Sequence, residues 1–316
     1  MPDVAVHVSF GREVLSSLAE EVRESIVPGP YSFALLGPDV WFTYHPWHRR
    51  RDGRGRQMHT TKPGAFLTNL LQRSAVSACR KEMFSYLAGF LCHYALDSVT
   101  HPYIIWVTTE EHHFSRSHQS LEHALDDAVI RRDGFSGELH PVTDHYFPDV
   151  LLPVSMEEDI NAVFSSVYGW KNVWADMNRS CRRYRLCFRV MERPRGPAVR
   201  IARATRADVL KSLVYSESHF LTLDPENTEH RVWRHPYDPS LSSTESFPEL
   251  RDRACGLAVR YITAGWKFLF RSEGSAEAFS ALIGNNSYLS GLPADDPRNH
   301  RVSSLLPSGP RKEEVP

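Results

Sequence analysis

The stretch LCHYALDSVTHPY, residues 91–103, places three polar side chains inside an otherwise apolar segment. His93, Asp97 and His101 follow one another at intervals of four residues, so on a helix they share one face, about 6 Å apart along the axis. A carboxylate among core residues is strongly disfavoured unless it is hydrogen-bonded, ion-paired or bound to a metal. The segment therefore predicts a buried helix that carries either a His–Asp–His hydrogen-bond network or part of a metal site.

A second polar stripe lies in the segment HQSLEHALDD, where His118, Glu122 and Asp126 again recur at every fourth position. Two neighbouring helices of this kind supply much of a site for several metal ions. Upstream, Asp39 follows a Gly-Pro turn and His59 follows an Arg-rich segment. Taken singly, each is typical of a surface residue, but together they favour a metal site. Nitrogen and oxygen ligands without thiolates suit zinc, although manganese or iron accept the same set.

Composition excludes several classes of protein. The chain has 316 residues, 41% of them hydrophobic, and a formal net charge of −1, which is typical of a globular protein. There is no overall basic excess to favour duplex-DNA binding and no long apolar run to favour a membrane span. The first residues, MPDVAVHVSFGREVL, lack a secretion-signal pattern, so a cytoplasmic location is expected. The five cysteines form no CxxC pair, which argues against a disulfide framework or a thiolate zinc site.

Apolar residues recur at helical intervals along most of the chain, and alternating strand-like runs are nearly absent. We therefore expect an all-α fold. Helices are predicted over residues 4–27, 63–80, 82–107, 115–133, 198–216 and 246–272, with about two more between 148 and 190. Residues 48–59, HRRRDGRGRQMH, are predicted to form a mobile loop. A single domain is expected over residues 1–290, followed by a disordered tail over 291–316.

The order of the polar residues resembles the zinc-dependent phospholipase C superfamily, which also contains fungal zinc nucleases that cleave single-stranded nucleic acid. The resemblance covers roughly residues 1–130 and rests on His7, GPD with Asp39, His59, HxxxDxxxH from His93 to His101, and HxxxE at His118 and Glu122. The stretches MPDVAVHVSFG and FLCHYALDSVTHPY look like the leaderless bacterial members. The resemblance implies a multi-helix bundle of the phospholipase C and zinc nuclease type, with a polynuclear metal site.

The same resemblance implies which residues bind zinc. It suggests two ligand sets: Asp39, His59, His93 and Asp97 for one ion, and His101, His118 and Glu122 for a second. A third ion of the family is held by the amino terminus, a histidine and the shared aspartate, here His7 and Asp97. That site depends on whether Pro2 becomes the free terminus. Two or three zinc ions per chain are therefore expected.

Such a site suits phosphodiester hydrolysis, because bound zinc acidifies water to a pKa of about 7 and neighbouring ions neutralise phosphate oxygens. We expect a phospholipase C-like phosphodiesterase acting through zinc-bound hydroxide, with Asp39 and Asp97 as catalytic residues and Asp97 bridging two ions. The expected substrate is a phospholipid, met by transient contact with a membrane surface. The alternatives are a single-strand nuclease or nucleotidase, and a metal-stabilised interaction protein without catalysis. The three-ligand His101 set leaves a position open to water, which favours catalysis.

Two further stretches have roles that the sequence leaves open. Four aromatic residues follow Asp39 closely and either pack in the core, as such runs commonly do, or line a substrate pocket: Trp41, Phe42, Tyr44 and Trp47. The WRHPYD stretch from Trp233 has no assigned chemical role. It belongs to a segment, residues 223–239, that is predicted to be a loop long enough to pack back over a site.

Overall fold

A computed structural model describes residues 4–44, 53–108, 118–135, 142–147, 151–191 and 224–299. Within these ranges the chain forms helices and one two-stranded antiparallel sheet. The α-helices are α1 Val4–Ser17, α2 Glu20–Arg23, α3 Pro28–Ala34, α4 Arg54–Thr60, α5 Pro63–Val76, α6 Arg80–Thr108, α7 His118–Arg132, α8 Val142–Tyr146, α9 Glu157–Tyr168, α10 Val173–Met191, α11 Phe247–Trp266 and α12 Ala276–Ile283. Shorter elements are the 3₁₀-helices Gly37–Thr43 and Val154–Met156, the π-helical turn Lys267–Arg271, and strands β1 Trp233–Arg234 and β2 Ser242–Ser243. The all-α fold is confirmed.

Helix α6 is the centre of the bundle. It is 29 residues long, and its buried residues lie on every face. A helix that is apolar all round must be surrounded by other elements. It contacts α1, α3, α5, α7, α11 and the 3₁₀-helix Gly37–Thr43. The polar residues of α6 are therefore enclosed by helices from most of the chain.

The prediction of one continuous helix over residues 4–27 is wrong. The chain leaves α1 after Ser17, and Ala19 adopts an extended backbone before α2 begins at Glu20. The PGP tripeptide does not end a helix but begins α3, with Pro28 in its first turn. Proline is favoured there because the missing N–H would have no partner in the helix.

The predicted loop over residues 48–59 is wrong from residue 54 onward, because Arg54–Thr60 form α4. Tertiary contacts stabilise this helix despite its glycine, since α4 packs on the 3₁₀-helix Gly37–Thr43. Helix α12 was not expected from the sequence. The predicted helix 198–216 and residues 300–316 of the predicted tail lie outside the described residues, and the single domain over residues 1–290 stays a prediction.

The lengths and polarity of the helices bear on whether one of them could span a membrane. Among the described residues, the helices are too short or too polar to cross a bilayer.

Candidate metal centre

The structure brings the sequence-predicted ligands together around α6. They come from five helical elements, and all are buried except His118, which is half-buried: His7 on α1, Asp39 on the 3₁₀-helix, His59 on α4, His93, Asp97 and His101 on α6, and His118 and Glu122 on α7. Residues far apart in sequence therefore share one small polar region inside an apolar core.

The Asp97 carboxylate occupies the middle of this region. One of its oxygens lies 3.0 Å from His93 Nε2, and the other lies 3.4 Å from His7 Nε2. The first oxygen also lies 3.6 Å from His59 Nε2 and 3.6 Å from His101 Nδ1. Asp97 thus faces histidines from three helices.

Among the described residues, three groups of potential ligand atoms lie at or beside Asp97, each with its atoms within 4.8 Å of one another: His7, His93 and Asp97; Asp39, His59 and His93; and His101, His118 and Glu122. Asp39 lies 3.2 Å from His59 Nε2 and 3.5 Å from His93 Nε2. Glu122 Oε1 lies 2.8 Å from His118 Nε2 and 3.6 Å from His101 Nε2. His93 belongs to the first two groups, and Asp97 lies 3.6 Å from His101 of the third, so the three groups form one connected centre.

Main-chain carbonyls orient three of the histidines. Their Nδ1 atoms lie at hydrogen-bond distance from these carbonyls: His59 to Gly55 at 2.7 Å, His93 to Leu35 at 3.0 Å and His101 to Tyr288 at 3.0 Å. A carbonyl can only accept, so in each case Nδ1 carries a proton, and the Nε2 lone pair faces the centre once the ring has lost its second proton. Zinc-binding histidines are typically held in this way.

Within the described part of the chain, several buried polar atoms of the centre make no hydrogen bond, although some lie at ion-pair distance from a neighbour: His7 Nδ1, Asp39 Oδ1, His93 Nε2, Asp97 Oδ2 and Glu122 Oε2. An unsatisfied buried polar group costs about 1–3 kcal/mol, so a cluster of them needs a compensating partner. Imidazole nitrogens and carboxylate oxygens are ligand atoms of zinc. The residues present therefore fit bound cations.

The pKa values reflect this crowding of charge. Burial lowers the pKa of His59, but the Asp39 and Asp97 carboxylates outweigh burial and raise that pKa to about 10. For His7, burial lowers the pKa to about 4, and the neighbouring His93 contributes a smaller part of this decrease. Burial raises the pKa of Asp97, but the surrounding histidines outweigh it and hold this pKa well below its ordinary value. Without a metal, Asp97 is therefore ionised, His59 protonated and His7 neutral.

Zinc binding near neutral pH should release protons. The pKa of His59, about 10 in the metal-free protein, lies above pH 7, and a histidine must lose its proton to bind zinc. The apparent zinc affinity should therefore fall as the pH decreases, whereas His7 contributes no proton above about pH 5. Calorimetric titration at pH 7 in buffers of different ionisation enthalpy should show about one proton released, or more, per chain. Binding heats that do not depend on the buffer would contradict this assignment.

Comparison with known proteins identifies the family. A family model described as zinc dependent phospholipase C matches residues 6–184, more than half of the 316-residue chain. The chain belongs to the zinc-dependent phospholipase C family. Membership indicates a zinc-dependent hydrolase. The comparison found no matching curated protein and no matching solved structure.

All the candidate ligands lie within the residues that match the family.

A small cavity lies between two of the ligand groups. Its volume is about 20 Å³, and four candidate ligands line it together with mostly apolar residues: His7, Asp97, His101 and Glu122, with Val6, Leu96, Thr100, Ile104, Leu125 and Phe247. A volume of roughly 10–15 Å³ admits one water-sized species. The cavity therefore has room for an ion or a water among these ligands.

The aromatic run after Asp39 divides between core and surface. Trp41 and Tyr44 are buried, and the guanidinium of Arg54 lies over an aromatic cluster, with ring centroids 4.9 Å away for Trp41, 4.8 Å for Tyr44 and 5.1 Å for Trp170. Phe42 is 40% exposed, and its ring centroid lies 5.6 Å from that of His59. Trp47 lies outside the described residues. Trp41 and Tyr44 are thus core residues, and Phe42 is an exposed aromatic beside the metal centre.

Asp126 supports the centre without belonging to a ligand group. It is fully buried one turn after Glu122, and its carboxylate accepts the N–H groups of Ala5 at 3.1 Å and Val6 at 2.7 Å. A carboxylate at a helix N-terminus satisfies free N–H groups and stabilises the helix dipole. Asp126 therefore fixes the start of α1, and with it His7, against α7. The four-residue spacing predicted that Asp126 shares a helix face with Glu122, but it did not predict the hydrogen bonds to main-chain N–H groups.

Replacing Asp126 by alanine should loosen α1 and impair metal binding at His7. Each hydrogen bond to a charged group is worth about 1.5–3 kcal/mol, so we expect the free energy of unfolding to fall by about 3 kcal/mol. Urea unfolding and zinc content per chain test this, with Asp127→Asn as a control that alters the neighbouring carboxylate on α7. An Asp126→Ala protein as stable as the control, with the same zinc content, would rule out the anchoring role.

Proposed function

We propose that the chain is a zinc-dependent phosphodiesterase that hydrolyses a phospholipid-type phosphodiester. The observation that carries this proposal is the connection between the ligand groups: Asp97 contacts histidines of all three, and His93 belongs to two. Ions held by ligand groups that are connected in this way would be close enough together to act on one phosphate group. Family membership supports the same reaction class.

The proposed ligand sets follow this geometry. One consists of Asp39, His59, His93 and Asp97, and the other of His101, His118 and Glu122. His7 and Asp97 are proposed to hold a third ion with the amino-terminal nitrogen, but residues 1–3, which include Pro2, lie outside the described residues. Two or three ions per chain are consistent with these sets.

A catalytic centre is favoured over a purely structural one. Structural zinc sites are usually closed by four protein ligands, whereas the His101 set has three among the residues that the structure describes. Its His118 side chain is 21% exposed, while that of Glu122 is 5% exposed. This set therefore lies at the edge of the buried region, where water and substrate can approach.

The residues of the centre have separate roles in the proposed reaction. The chemistry that bound zinc supplies is activation of water and neutralisation of charge on phosphate oxygens. Asp39 Oδ1, which lies 3.2 Å from His59 Nε2, is proposed to accept the proton of the attacking water. The ionised Asp97 holds the neighbouring ligand groups together. Phe42 offers an exposed apolar surface beside His59 for the organic part of the substrate.

A substrate panel tests the function. Zinc-loaded protein is incubated with phosphatidylcholine vesicles, a single-stranded oligonucleotide and bis(4-nitrophenyl) phosphate. We expect diacylglycerol and a phosphorylated head group from the vesicles, and much less of both with Asp39→Asn, which removes a proposed ligand and the proposed proton acceptor together. Release of 5′-nucleotides alone would instead identify a single-strand nuclease. No turnover of any substrate by the zinc-loaded protein would favour a non-catalytic, metal-stabilised protein.

A further inference from the structure

Residues 285–292, called the strap below, lie beyond the part of the chain that matches the family and pass beside two candidate ligands. The N–H of Tyr288 donates to the carbonyl of His59 at 3.0 Å. The carbonyl of Tyr288 accepts from His101 Nδ1 at 3.0 Å. His59 belongs to α4 and His101 to α6, so the main chain of one residue connects two ligands on different helices.

The side chain of Tyr288 covers the same region. It is 1% exposed, and its ring centroid lies 5.4 Å from that of His59 and 5.9 Å from that of His93. Its hydroxyl is buried and makes no hydrogen bond to any residue that the structure describes. The contacts of the ring and the main chain, rather than the hydroxyl, therefore connect Tyr288 to the ligands.

Two contacts with α6 fix the ends of the strap. At its start, the Tyr94 hydroxyl donates to the Ile283 carbonyl at 3.0 Å and accepts the N–H of Asn286 at 3.0 Å. At its end, Gly291 has a φ of +65°, and a Cβ there would lie 2.4 Å from the Ser98 carbonyl oxygen. That carbonyl lacks its usual helical donor, because the residue four positions later is Pro102.

A third contact gives the WRHPYD stretch a structural role. His235 Nε2 donates to the Ser290 carbonyl at 2.9 Å, while its Nδ1 accepts the N–H of Asp238 at 3.1 Å. Tyr237 is buried with Ile105 of α6 in a small apolar cluster. The strap is therefore held on both sides, by α6 and by the segment that follows β1.

We propose that Tyr288 is a positioning residue, which sets the orientation of His59 and His101 for zinc while the strap holds it in place. This inference rests on the metal centre of the proposed function. The partners that orient a metal-binding histidine typically change metal affinity by about 10–100-fold. Displacement of Tyr288 should therefore weaken zinc binding in a protein that still folds.

Three variants separate this role from general stability. Tyr288→Phe keeps the ring and the main chain, Tyr288→Leu removes the ring, and Gly291→Ala moves the end of the strap away from Ser98. Gly274→Ala is the control for Gly291→Ala, because Gly274 also has a positive φ, +82°, but a Cβ there would have no atom of the described residues within 4 Å. Circular dichroism establishes folding. Competition with a chromophoric chelator gives the zinc affinity, and the visible spectrum of the cobalt-substituted protein reports the ligand geometry.

We expect Tyr288→Leu and Gly291→Ala to bind zinc about 10–100-fold more weakly than wild type and to show an altered cobalt spectrum. Tyr288→Phe and Gly274→Ala should match wild type. If Tyr288→Leu fails to fold, Gly291→Ala alone decides. Wild-type zinc affinity and cobalt spectrum in the folded variants would overturn the positioning role but leave the proposed function intact. Absence of zinc binding by the wild type would instead overturn the metal centre itself.

Discussion

Replacing Asp97 by asparagine should remove zinc from more than one position and lower phosphodiesterase activity by more than about 100-fold. Loss of a residue that only orients a metal ligand typically costs about 10–100-fold, and Asp97 is itself a proposed ligand. The reason is the central position of this carboxylate, whose oxygens lie within 3.6 Å of nitrogen atoms of four histidines. An amide of the same shape has no net charge to offset adjacent cations. The loss should therefore extend across the whole centre.

Elemental analysis and turnover of a soluble phosphodiester measure the effect of Asp97→Asn. Asp159→Asn is a matched control, because Asp159 is also a buried helical carboxylate but is paired with Arg73 and Ser77. The control should lose stability while keeping its zinc. Wild-type zinc content and activity in Asp97→Asn would show that Asp97 does not join the ligand groups.

Replacing Gly37 by alanine should disrupt the Asp39 ligand group without altering any ligand. Gly37 has a φ of +51°, and a Cβ there would lie 2.4 Å from Cγ of the His93 ring. The left-handed conformation costs a residue with a Cβ about 1–2 kcal/mol, and overpacking adds about 1–3 kcal/mol. Because a shift of about 1 Å at a reacting group can cost about 10²-fold in rate, we expect a similar loss of activity.

Gly169→Ala is the control for Gly37→Ala. Gly169 ends α9 with a φ of +73°, but among the described residues no atom would lie within 4 Å of a Cβ there. It should show only the conformational cost, about 1–2 kcal/mol by urea unfolding, with normal zinc content and activity. If Gly37→Ala behaves like this control in all three measurements, His93 does not depend on the close approach of Gly37.

The parts of the centre that follow from helical period could be predicted from the sequence. Residues at intervals of four must share a helix face, so the stripe containing His93, Asp97 and His101 was fixed once this segment was recognised as a helix. The stripe containing His118 and Glu122 follows the same rule. A carboxylate in an apolar helix also indicated a partner, because its burial alone is unfavourable.

The contacts that orient these ligands could not be predicted in this way. Leu35 and Gly55 act through their carbonyl groups, which every residue possesses, so no residue type marks them. Tyr288 lies 187 positions after His101 in the chain, and no local pattern connects the two. The sequence did not predict α4 for a related reason. Arg54, its first residue, packs over aromatic rings outside the helix, and such a tertiary contact leaves no pattern within the helix sequence.

The most direct test of the metal centre is anomalous X-ray scattering at the zinc absorption edge. Crystals are grown from protein purified with zinc and without chelator, and the anomalous peaks are located relative to the side chains. We expect at least two zinc ions per chain, one among Asp39, His59 and His93 and one among His101, His118 and Glu122. Fewer than one zinc ion per chain, or peaks only at other residues, would contradict the account.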